Sequence, residues 1–191
     1  MYFSGMIPRP LYVTALGALL MLPLPARPLG ELYPAASVTI SQPVLDSMNV
    51  IFGESNRNWD KLQDLNTMER MLGTVRPTQK EYLGCLQGTV DAGSVTVNGF
   101  LPARNMRQLP LAVTGTCDSL PRVIGSWHTH PYHADPENRP LKSRELSPQD
   151  LATFAASSDR VAIVVWDQDS LDAAVKAPDG SIIHPAKVEI R

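Results

Sequence analysis

The sequence predicts one α/β domain, a mixed β-sheet flanked by helices, and three observations carry that expectation. Apolar residues at Leu45, Met48 and Phe52 follow a helical spacing, and from residue 81 the pattern changes to strand-like alternation. Between two apolar, β-branched runs, 121–130 and 160–166, stands a strongly marked helix start at 147–150. A chain of 191 residues holds one full hydrophobic core, whereas two would be cramped.

The first 36 residues are set apart as a leader, and the domain is expected over 37–191. Arg9 precedes an apolar stretch, 11–24, bracketed by Pro8, Pro10, Pro23 and Pro25. Its fourteen residues fall short of the ~20 that a membrane helix needs but suit the apolar region of a secretory signal. We therefore expect an extracytoplasmic protein, secreted or periplasmic, with membrane association only through this leader. The alternatives are an uncleaved anchor, or a start at Met21 and a cytoplasmic protein.

Within the domain, SVTIS at 37–41 alternates and is β-branched, a strand. PVLDSMNVIF at 43–52 begins with proline and carries the helical apolar face. The polar stretch 53–80 contains a second helical piece at 59–72. EYLGCLQGTV at 81–90 and SVTVNGFLPA at 94–103 read as strands joined by the turn DAGS. PRVIGSWHTH at 121–130 is a third strand, ended by Pro131, and a polar loop, 132–145, follows. SPQDLATFAAS opens with a serine cap, a proline in the first turn and an acid three residues after the cap. RVAIVVW is a buried strand, SLDAAVKA another, DG a hairpin turn, and IIHPAKVEI at 182–190 the last strand.

Composition excludes some functions. A formal net charge of −2 leaves no basic footprint, so nucleic acid is not an expected partner. Cys85 and Cys117 are the only cysteines; they lack the spacing of a zinc or redox pair. They either form one disulfide in an oxidising compartment or pack as two small buried thiols.

GSWHTHP, 125–131, holds two of the four histidines. On a strand, residues two apart share a face, so His128 and His130 can aim ring nitrogens at one ion while Thr129 points away. Alone, such a pair is better explained as two solvated histidines at a strand end. Ser147-Pro-Gln-Asp150 is a helix capping box in its own right, and also a rigid platform from which Asp150 can present a carboxylate. Glu81 is the third piece, a carboxylate at the start of an apolar strand.

Taken in order, these pieces resemble the JAMM (MPN-positive, Mov34/PAD1, JAB) metalloprotease family. The pattern E-x-x-G-x-L-x-G appears as Glu81-Tyr-Leu-Gly84-Cys-Leu86-Gln-Gly88, H-x-H-P as His128-Thr-His130-Pro131, and S-x-x-D as Ser147-Pro-Gln-Asp150. The resemblance covers residues 37–190. It implies an MPN-like fold in which His128, His130 and Asp150 bind Zn2+, leaving one position for water. It further implies Glu81 as general base and Ser147 as donor to the oxyanion. The implied reaction is hydrolysis of a peptide or isopeptide bond. The implied substrate is a peptide or protein: a ubiquitin-like conjugate or, for an exported chain, a cell-wall or secreted peptide.

One departure stands out. The family usually has seven residues between H-x-H and S-x-x-D; here sixteen separate His130 from Ser147. The insertion brings rival ligands, His133 and Asp135, and is expected to shape the substrate groove. His184 reads as an ordinary strand-end histidine. Patterns for helix-borne zincins, zinc deaminases, serine-elbow hydrolases and phosphate loops are absent from the sequence. A different class of function remains beside the enzyme: a non-catalytic MPN-type metal-binding or scaffold module. A third reading, a DNA-repair-associated relative, fits poorly with the near-neutral charge.

Overall fold

The alternation that begins near residue 81 becomes the middle of an eight-stranded sheet. The computed structural model describes residues 36–59, 61, 67–73, 79–91, 93–109, 112–135 and 139–191. In chain order the elements are β1 (Ser37–Ile40), α1 (Gln42–Ser55), α2 (Thr67–Leu72), β2 (Leu83–Asp91), β3 (Ser94–Pro102), β4 (Arg104–Gln108) and β5 (Val113–Thr116). They continue with β6 (Val123–Thr129), β7 (His133–Ala134), β8 (Pro140–Leu141), α3 (Pro148–Ala156), β9 (Val161–Asp167), β10 (Ser170–Lys176), β11 (Ile182–Ile183) and β12 (Lys187–Ile190). The leader expected over 1–36 lies outside the described residues except for Ala36. Of the helical piece expected over 59–72, α2 is described, and residues 60 and 62–66 lie outside.

The main sheet runs β11-β10-β9-β6-β2-β3-β1-β12. β2 pairs antiparallel with β3 and with β6, whereas β6 and β9 are parallel. A parallel neighbour needs a crossover, and the chain supplies it through α3. The sheet is mixed and curled. Beyond β11, Ala186 donates its N–H to Ala173 on β10 at 2.8 Å, and Lys187 then reaches Ala36 at 3.1 Å.

The final segment departs from the single last strand expected over 182–190. It is cut at His184–Ala186 into β11 on one edge of the sheet and β12 on the other. Pro185 has no N–H to give a ladder and restricts its predecessor, so neither strand can run through it.

Both faces of the sheet are covered, which explains the unbroken apolar run of β9. Val161, Ile163 and Val165 face α1 and its buried Val44, Leu45, Met48 and Phe52. Ala162 and Val164 alternate to the opposite side and join Leu146, Phe154 and Ala174 beneath α3. Two-sided burial replaces alternation with a continuous hydrophobic strand. The cysteines form a disulfide, Cys85–Cys117, tying β2 to the residue after β5.

Candidate metal centre

β6 delivers the two histidines. His128 is on the strand, and His130 lies one residue past its end, held there by its N–H donating to Val165 O at 2.9 Å. The intervening Thr129 does point the other way and is fully buried. Its Oγ1 accepts the Tyr82 N–H at 3.0 Å and donates to Ser55 Oγ at 3.2 Å. The Thr129 N–H also donates to Tyr82 O at 3.1 Å. The residue between the histidines therefore fixes the segment that carries Glu81.

α3 delivers the carboxylate. Ser147 is its N-cap: Ser147 Oγ accepts the Asp150 N–H at 3.2 Å, and Asp150 Oδ2 accepts the Ser147 N–H at 2.8 Å. This is the capping box expected from the sequence. It locks the Asp150 rotamer and leaves Oδ1 directed at His128 and Oδ2 within reach of His130. The Nε2 atoms of His128 and His130 are 3.1 Å apart; His128 Nε2 is 3.5 Å from Asp150 Oδ1, and His130 Nε2 is 3.4 Å from Oδ2.

These separations suit a cation. Zinc–ligand bonds of about 2.0–2.1 Å in a tetrahedron separate neighbouring ligands by roughly 3.3 Å. His130 Nδ1 donates to Ser143 O at 3.1 Å, so in the neutral ring Nε2 carries the lone pair. His130 Nε2, His128 Nε2 and the Asp150 carboxylate thus converge on one small volume. Among the described residues, His128, His130 and Asp150 are the group able to hold a metal ion.

Without a metal, hydrogen bonds donated by the histidines tie the same groups together. Burial alone would raise the Asp150 pKa, but hydrogen bonds from His128 and His130 and the bond to Ser147 hold it far below the usual carboxylate range. Burial would lower the pKa of His130; its hydrogen bond to Asp150, the Ser143 carbonyl and the charges of Asp150 and Glu81 reverse that and raise it. Glu81 is pushed up to about 7, chiefly by burial, with His130 pulling it down and Asp150 pushing it up.

Glu81 does not open a strand, as the sequence suggested; it stands two residues before β2. The reason lies in its backbone partners. Its N–H donates to Leu109 O at 3.3 Å, and its carbonyl accepts from Gln108 Nε2 at 2.9 Å, so the β4–β5 hairpin takes the bonds a ladder would use.

The long loop after Pro131 is anchored rather than loose. Tyr132 donates its N–H to Asn56 Oδ1 at 2.7 Å and packs edge-on against Phe52 and Trp59. Its hydroxyl bonds Asp167, which also pairs with Lys142. The loop's returning leg carries Ser143, the partner of His130. Neither rival ligand joins the cluster. Asp135 accepts from the backbone N–H and Nε of Arg139, both at 2.6 Å, and His133 is in β7 opposite Leu141.

Sequence reasoning missed Thr129 and the Ser143 carbonyl as supports of the site. A backbone carbonyl has no side-chain signature, and Thr129 drew notice only as the residue facing away. His184 is not an ordinary strand-end histidine: its Nε2 bonds the buried Asp172 Oδ2 at 2.6 Å. Compared with family models and with curated proteins, the chain has no match.

Proposed function

We propose that the chain is a zinc-dependent metallopeptidase or isopeptidase of the JAMM type, with an MPN-like fold. The observation that carries this reading is the convergence of His128, His130 and Asp150 within hydrogen-bonding distances beside a half-buried Glu81. A zinc ion there supplies Lewis acidity toward a carbonyl oxygen and acidifies a coordinated water. Every other role falls to the chain. Glu81, with a proton affinity near neutrality in the metal-free protein, accepts the proton of the attacking water and returns it to the leaving amine. Ser147 Oγ uses a lone pair on the Asp150 N–H and keeps its own proton for an oxyanion.

The substrate in this reading is a peptide or protein. The Cys85–Cys117 disulfide supports work in an oxidising, extracytoplasmic compartment, and hence a cell-wall or secreted peptide over a ubiquitin-like conjugate. The competing reading, a metal-binding module without catalysis, needs no role for Glu81.

The test is a mass-spectrometric hydrolysis panel with zinc-loaded protein, comparing cell-wall peptides with ubiquitin-like isopeptides. Glu81→Gln should lose about 10²–10⁴-fold in rate while retaining its zinc. Full activity in that variant would rule out the general-base role, and no hydrolysis across the panel would favour the non-catalytic module.

A further inference from the structure

Away from the metal cluster, one carboxylate is buried under α3 among apolar side chains. Asp172 is 9% exposed, on the face of β10 that also carries Ala174, beside Val164, Leu146 and Phe154. Burying an anion in such surroundings is unfavourable unless donors compensate it. Two donors converge on the same oxygen: Asp172 Oδ2 accepts from His184 Nε2 at 2.6 Å and from the Leu146 N–H at 2.9 Å. A carboxylate only accepts, so Nε2 is the protonated nitrogen of His184.

Leu146 immediately precedes Ser147, the cap whose box fixes Asp150. A hydrogen-bonded path therefore runs from His184 through Asp172 and the Leu146 backbone to the start of α3. We infer that His184 and Asp172 are positioning residues for the metal centre, holding the entry to α3 so that Asp150 presents its carboxylate to the histidines. The inference rests on the metal-binding reading above. Without His184, Asp172 keeps only Leu146 to offset its burial and can turn toward water, releasing the cap. The path explains why the fourth histidine stands where the chain leaves β11, within reach of β10.

The test measures zinc affinity by chelator competition and the visible spectrum of the Co2+-substituted protein, together with thermal stability of the metal-free form. His184→Ala and Asp172→Ala should weaken zinc binding by about tenfold or more and alter the Co2+ bands. His184→Gln keeps a donor, and Asp172→Asn keeps an acceptor for Leu146; both should stay within about threefold of wild type. Val175→Ala, in the other apolar cluster, should lower stability and leave zinc affinity unchanged.

His184→Ala protein that binds zinc as tightly as wild type overturns the inference. So does equal weakening in Val175→Ala, or conservative variants that fall as far as the alanine ones. If Asp172→Ala does not fold, His184→Ala decides, because the His184 side chain is the more exposed of the two, 20% against 10%. Wild-type protein that takes up neither metal overturns the metal reading and this inference with it. Wild-type binding with indifferent dyad variants overturns the inference alone.

Discussion

Gly84 faces Trp127 across the β2–β6 pair, and a Cβ added at Gly84 would run into the Trp127 indole. Trp127 is fully buried and adjoins His128, so this glycine admits the ring that backs the histidine strand. Gly84→Ala should therefore destabilise the protein by about 3 kcal/mol, read as a shift in the denaturation midpoint. Glu81 gives a pH-dependent prediction for the metal-free protein. Its carboxyl binds a proton more tightly folded, at about 7, than unfolded, at its ordinary value of 4.5. Between those values the folded state holds more protons, so this contribution is full below pH 4.5 and is lost as pH rises through about 7. Relative to Glu81→Gln, metal-free wild type should lose stability from pH 5 to 7.5, by about 1–2 kcal/mol once solvent screening is allowed for. A wild-type-minus-variant difference that is flat across that range, in urea titrations, would contradict the assignment.

Two elements govern how the site is held. α3 is legible from sequence because capping is a local code: Ser147, Pro148 and Asp150 mark the start without reference to the rest of the fold. The β4–β5 hairpin is not. RNMRQ is largely exposed along its length and shows no alternating buried face, so its strands have no hydrophobic period to betray them. Yet this hairpin grips the backbone on both sides of Glu81, and the disulfide from Cys117 to Cys85 closes its base onto β2. The bond joins residues 32 apart in sequence, so reduction should lower stability by about 3–4 kcal/mol in chemical denaturation. An unchanged midpoint under reductant would mean the hairpin stays in place without it.

Across the whole molecule, two-sided burial of β9 and the parallel β6–β9 pair bring the candidate metal ligands together from separate segments. The histidine pair, the capped aspartate and the strand–helix–strand order were readable because each is written in contiguous residues. The split of 182–190 between opposite sheet edges was not, since it depends on how far the sheet curls. For the same reason His184 looked incidental: its partner Asp172 is twelve residues earlier, on the neighbouring strand. The loop between His130 and Ser147 read as a source of rival ligands, whereas its Ser143 carbonyl orients His130. The central claim is that His128, His130 and Asp150 together bind zinc, and the most direct measurement is metal stoichiometry after chelation and zinc reloading. Wild type should hold a single zinc per chain, and Asp150→Ala should lose it while remaining folded. Wild-type protein without zinc, or zinc retained in Asp150→Ala, would contradict the account.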